Sequence, residues 1–219
     1  MVRSLRFALF ALLLPLAGQA QLVVTNTQTP AWLVQNILLG QGLSVSNITF
    51  NGAPATVVTE QAGEVDATNT VLGMGQGLIL ATGDVNNALG PNNSGSSSLG
   101  GGNMGQTDPD LEILANPQSV NDAAVLEFDF VPTGDSLKFD FVFASDEYLE
   151  FVNSVNDIFG FFLSGPGISG PFSNNSANIA LIPNTTDPVT INTVNDMVNS
   201  AYYVVNGTGI NFPYNGNAM

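Results

Sequence analysis

The chain has 219 residues, 44% hydrophobic and 10% charged, with no cysteine, no histidine and a formal net charge of −15. The apolar fraction excludes a disordered tail. The two missing residue types exclude disulfide stapling, Ser-His-Asp and Cys-His catalysis and His-containing zinc sites. A balance this acidic also excludes nucleic-acid binding by phosphate neutralisation, and it repels anionic membrane surfaces.

Arg3 and Arg6 precede a short apolar run at 7–14, and Gly18-Gln19-Ala20 forms a small-x-small cleavage site. That order predicts an export signal peptide over residues 1–20, cut after Ala20. The run is too short to cross a bilayer and no later run is long enough, so no direct membrane insertion is expected. Residues 21–219 then form one domain with a sizeable core. This mature part keeps Lys138 as its only basic side chain against 18 carboxylates, a formal charge of −17. Salt bridges cannot neutralise it; bound metal or solvent counterions must.

Leu22, Val23 and Val24 predict a first short strand within 21–27. Thr29-Pro30 predicts a helix start, with Thr as cap and Pro in the first turn. Trp32, Leu33, Asn36, Ile37 and Leu39 continue at helical spacing until Gly40 and Gly42. Residues 43–50 alternate apolar and polar, a strand, and Asn51-Gly52 is a turn signal. Residues 78–81 predict another strand after Gly73, Gly75 and Gly77. No Gly-Lys-Ser/Thr and no βαβ helix follows those glycines, which argues against phosphate-loop and dinucleotide readings. Residues 90–105 are a low-complexity loop rich in Gly, Asn and Ser. Asp108, Asp110 and Glu112 then place carboxylates at alternate positions.

Residues 124–163 carry the central pattern. Leu126, Phe128 and Phe130 point one way, and Leu137, Phe139, Phe141 and Phe143 do the same in a second run. Pro132-Thr133-Gly134-Asp135 reads as the hairpin turn between them. A four-residue loop sets Val131 opposite Ser136, Phe128 opposite Phe139 and Leu126 opposite Phe141. It also sets Asp129 opposite Lys138, and Glu127 opposite Asp140, a repulsive pair. An acidic loop follows, with Asp146, Glu147, Tyr148 and Glu150, and then Asn156-Asp157 before an apolar strand at 158–163. Between Asp108 and Asp157 lie 12 of the 18 carboxylates, the strongest chemical feature of the chain. Further strands are predicted at 178–182, 189–194 and 201–205. Residues 217–219 show no evident closing element. The fold class is mainly β: an antiparallel β-sandwich or jelly-roll-like domain with one short N-terminal helix.

FDFVFASDEYLEFVNSVNDIFGFFLSGPG resembles the choice-of-anchor L domain of exported bacterial surface proteins. PAWLVQNILLGQGLSVSNITFNG, GLILATGD, DPDLE, DAAVLEFDFVP, NIALIPNTTDPVTINTVN and YYVVNG extend the likeness over about residues 25–216. The resemblance implies a secreted β module, joined in different relatives to different C-terminal anchoring or sorting modules, with no catalytic set to carry over. Relatives usually continue past the position of Tyr214 with further strands and an anchor. Both are missing here, so either the chain is truncated or the last strands are supplied otherwise.

The expected role is a secreted or cell-surface module, not an enzyme, acting in adhesion or surface structure. Ca²⁺ is the expected ion, since it takes 6–8 oxygen ligands from carboxylates, amides and carbonyls. Two sets supply them: Asp108, Asp110 and Glu112, or Asp146, Glu147, Glu150, Asn156 and Asp157, neither with EF-hand spacing. The alternative is a carbohydrate-binding module, with Tyr148, Tyr202, Tyr203 and Tyr214 as a sugar platform and a surface glycan or protein as partner. A glycoside hydrolase using Asp146 with Glu150, or Glu127 with Asp140, ranks below both, because acidic residues on β proteins are mostly not catalytic.

Overall fold

The computed structural model describes residues 22–39, 43–68, 70, 72–90 and 105–205, with the backbone of 216–218. The predicted signal peptide, Gly40, Gly42, Tyr214 and most of the low-complexity loop lie outside the described residues. Among the described residues thirteen strands form five antiparallel sheets of two or three strands. The arrangement is sandwich-like and not a closed barrel, so the expected mainly β fold class is borne out.

The first half packs two three-stranded sheets around one helix. One sheet runs β1 (Val23–Thr25), β4 (Ala62–Asp66), β5 (Gln76–Leu80). The other runs β3 (Ala53–Pro54), β2 (Leu43–Phe50), β6 (Leu126–Pro132). Helix α1 (Pro30–Leu33) starts as expected, with the Thr29 hydroxyl accepting the Trp32 N–H at 3.2 Å, and continues as a π-helical turn over Val34–Leu38. Its Leu33 is wholly buried with Phe50, Ala55 and Ala62, and Leu78 and Leu126 close around them. The helix therefore plugs the space between the sheets. Asn51 and Gly52 both take positive φ, 48° and 74°, so a two-residue turn joins β2 to β3. Buried Gln61 stitches the layers: its Oε1 accepts from Asn51 Nδ2, and its Nε2 donates to the carbonyls of Thr82 and Asp122.

The expected hairpin at 126–143 does not form. β6 pairs with β2, setting Phe130 opposite Val45 and Leu126 opposite Phe50. Alternation reports which side chains share a face; it does not name the neighbouring strand. The pairing also removes the expected carboxylate repulsion. Asp129 accepts from Asn47 Nδ2 at 2.6 Å, and Glu127 from the Thr49 hydroxyl at 3.4 Å, across a register shift where Asn47 has φ of 53°. Leu137 is 42% exposed, not inward. Phe139 and Phe141 do pack inward, but on another partner: Phe139 stacks on Phe161 at 4.2 Å, and Phe141 lies 4.9 Å from Phe159.

The second half consists of short strands. β8 (Ile158–Phe159) pairs with β11 (Val189–Thr190), and β9 (Phe162–Leu163) pairs with β10 (Ala177–Asn178). The run at 158–163 is thus two strands serving two sheets. β7 (Phe143–Ser145), β13 (Gly216–Ala218) and β12 (Tyr203–Val205) make the last sheet, with β13 in its middle. That corrects the expectation that the chain lacks a closing element. Ile182, Val189 and Val194 form the core here, under Phe141, Phe143, Tyr202 and Tyr203.

A second helix, α2 (Pro109–Ala115), is added to the single helix that was expected. Asp108 caps it, one oxygen accepting the N–H groups of Asp110 and Leu111 at 3.0 and 2.9 Å. The cap and the following proline repeat the Thr29-Pro30 signal. Asp108→Ala is expected to lower stability by about 1 kcal/mol in urea unfolding; a change near zero would show that the cap is not needed.

Candidate functional site

The acidic loop leaves the end of β7 at Ser145 and returns to β8 at Asp157. Ser145 is buried and its hydroxyl works in both directions. It donates to Asp157 Oδ2 at 2.7 Å and accepts the Glu147 N–H at 2.9 Å. One serine thereby closes a tight turn and holds the two ends of the loop together. Tyr148 pins the middle. It is 1% exposed, its hydroxyl donates to the Val194 carbonyl at 2.7 Å, and its ring lies 4.8 Å from that of Tyr203. Burial pushes the Tyr148 hydroxyl pKa upward, so it stays a donor. With Tyr148 in the core, Asp146, Glu147 and Glu150 are carried on a fixed turn.

The electrostatics follow from that geometry. Asp146 is 7% exposed and accepts from Asn87 Nδ2 at 3.2 Å. Burial pushes its pKa up to about 6, the Asn87 hydrogen bond opposes this, and the charges of Glu147 and Asp157 add to it. Glu147 is raised by burial, then by Asp157 and Glu150. Asp157 is exposed to solvent, yet the protein atoms crowding it raise its pKa, with the Ser145 hydroxyl pulling the other way. Three neighbouring carboxylates therefore all resist ionisation, and the charge of Asp157 adds to the cost at both Asp146 and Glu147.

The other expected ligands are placed differently. Asn156 turns away, its Oδ1 accepting the Asn192 N–H at 3.3 Å. Asp110 accepts from both the N–H and the hydroxyl of Ser173, and Glu112 accepts the Val120 N–H. With Asp108 capping α2, the three carboxylates of the first set each serve a separate protein donor. Among the described residues no group of three or more Asp or Glu already converges to hold a metal ion. Ser145, Asn87 and Tyr148 shape the loop, and ligand chemistry did not single out the first two. Ser145 carries a weak local signal, a serine two residues before an N–H it can accept.

The sequence profile of the choice-of-anchor L domain matches residues 22–219, nearly the whole chain. The chain belongs to this family. No curated protein and no solved structure matches it. A choice-of-anchor L domain is a surface-associated module of exported proteins, non-catalytic in character. No described helix is long and apolar enough to cross a membrane.

Of the four tyrosines expected as a sugar platform in this choice-of-anchor L domain, three are among the described residues. Tyr148 is buried, and Tyr202 and Tyr203 are half-buried on the core of the second half.

Proposed function

We propose that this choice-of-anchor L domain is a secreted or cell-surface module, without catalysis, that acts in adhesion or surface structure and is stabilised by Ca²⁺ at its acidic loop. What supports the calcium part is the raised proton affinity shared by Asp146, Glu147 and Asp157 along one loop, in a chain whose only basic side chain after residue 20 is Lys138. A divalent cation relieves the same repulsion that a proton relieves, and it does so at neutral pH. Carboxylate, serine and carbonyl oxygens on a turn suit a hard cation of flexible geometry. Glu150, on the same loop, is the ligand a small movement adds.

The test is thermal unfolding of the chain in millimolar calcium against chelator. At the affinity usual for extracellular sites, calcium should add about 1–3 kcal/mol, a shift of several degrees in Tm. Magnesium, which prefers small octahedral sites, should add less. Superimposable melts in calcium and chelator would remove the ion and leave the surface role standing.

A further inference from the structure

We propose that a second place, an amide-lined groove between the end of α2 and the turn after β11, binds a neutral glycan. Its volume is about 410 Å³, and Asn116, Gln118, Asn153, Asn156, Asn192 and Thr193 supply its polar surface. That volume falls within the range of small-molecule sites, roughly 300–1,000 Å³. Leu114, Pro117 and Pro188 add small apolar facets. None of the lining residues is ionisable, in a chain that carries 18 carboxylates.

The hydrogen bonding decides which atoms are left for a ligand. Asn192 accepts the Asn153 N–H through Oδ1 at 2.6 Å, and Asn156 accepts the Asn192 N–H through Oδ1 at 3.3 Å. These bonds orient both amides, and their Nδ2 groups remain. Asn153 sits at φ of 68°, and neither its side chain nor that of Asn116 bonds to a described residue. Gln118 Nε2 is fixed on the Ser154 carbonyl at 3.0 Å, so it ties the two walls together. The result is a row of NH₂ donors, with the oxygens of Asn116 and Asn153 as acceptors, on a braced backbone.

Sugar hydroxyls donate and accept at once, and so do amides. A groove this polar gains little from an apolar ligand. An anionic one meets the −15 charge of the chain with no cation in the lining. An extended peptide needs side-chain pockets or an open strand edge, and the proline facets give neither. A neutral glycan is the occupant that remains. Asn153 and Asn156 stand on the returning limb of the acidic loop, but the groove takes no carboxylate from it and the proposal does not rest on calcium.

The test uses the full chain with ¹⁵N-labelled side chains. The probes are neutral oligomers of glucose, mannose, xylose and N-acetylglucosamine, set against polyuronates. At roughly 10 mM, within the reach of a weak lectin site, a neutral oligomer should move the Nδ2 resonances of Asn116, Asn153, Asn156 and Asn192. Those of Asn178 and Asn195, whose Nδ2 groups are held by the Ala180 and Ile191 carbonyls, should stay still. Asn116→Ala combined with Asn153→Gly, which keeps the backbone conformation at 153, should weaken binding by about tenfold or more. Its melting temperature should stay near that of the parent. No movement with any neutral oligomer, equal movement with polyuronate, or unchanged affinity in the folded double variant overturns the proposal.

Discussion

Acidifying a calcium-free solution from pH 7 towards pH 5 is expected to stabilise this chain, not weaken it. Asp146 carries the largest share. Its pKa stands at about 6 in the fold against 3.8 for an ordinary aspartate, so the folded state holds the proton more tightly. Stability from such a group is fully present below the unfolded value and is lost as pH rises through the folded one. Asp146 alone is expected to supply about 1 kcal/mol between pH 7 and pH 5, and about 3 kcal/mol once fully protonated. Glu147 and Asp157 are raised as well and act with the same sign. Asp66 is lowered by its hydrogen bonds to Thr68 and works against them, as a single half-buried group. Falling net charge on a chain this acidic adds to the gain.

The variant that isolates the effect is Asp146→Asn. It keeps an oxygen to accept from Asn87 and removes the buried charge. In chelator at pH 7 it should be more stable than the parent by up to about 3 kcal/mol, with a flatter pH profile. If the acidic loop is a calcium site, the same variant should also lose most of its response to calcium. The parent's calcium response should shrink at pH 5, where protons and calcium compete for the same oxygens. A parent that loses stability steadily from pH 7 to pH 5 in chelator would mean that the cluster is ionised without cost. The proton and cation arguments would then fall together.

These contrasts show what a linear pattern carries. Asn51-Gly52 was legible because a two-residue turn with positive φ demands those residues whatever surrounds it. Thr29-Pro30 was legible for the same local reason. Asp108-Pro109 held an equal signal, yet the stretch was read only for its alternating carboxylates. Alternation at three polar positions carries little, since exposed helical residues are polar too. The partner of β6 was not legible. Asp129 and Asn47 meet across 82 residues, and nothing in either segment names the other. Phe139 reads as an inward strand residue, but its neighbour Phe161 is set by tertiary packing. The site divides the same way. The carboxylates of the acidic loop were visible as a local crowd. What gathers Asp146, Glu147 and Asp157 is Ser145 closing the ends and Tyr148 gripping Val194, and the second of these is a contact across 46 residues. The amide groove is less visible still, since Asn153 and Asn192 are 39 residues apart.

Gly170→Ala is expected to be among the most damaging single-methyl additions to the chain. A Cβ at position 170 would run into the Ser176 carbonyl oxygen and stand 2.8 Å from its carbon and 2.9 Å from Ala177 Cα. All three are backbone atoms, so no side chain can swing aside. The loop would have to open, breaking the Gly170 N–H bond to the Asn175 carbonyl and pulling at Phe172, whose ring packs 4.8 Å from that of Phe162. Ser173, inside the same loop, is what Asp110 of α2 holds with two hydrogen bonds of 2.8 and 2.9 Å. Displacing it frees α2, whose C-terminal end forms one wall of the amide groove. The expected loss is about 3 kcal/mol or more. Gly167→Ala is the matched control three residues earlier. Its Cβ would meet nothing within 4 Å, but the residue sits at φ of +84°, so only the conformational cost applies, about 1 kcal/mol. Urea midpoints at equal m values measure both. A Gly170→Ala midpoint no lower than that of Gly167→Ala would mean that the loop yields freely, and that it does not brace α2 or the groove beside it.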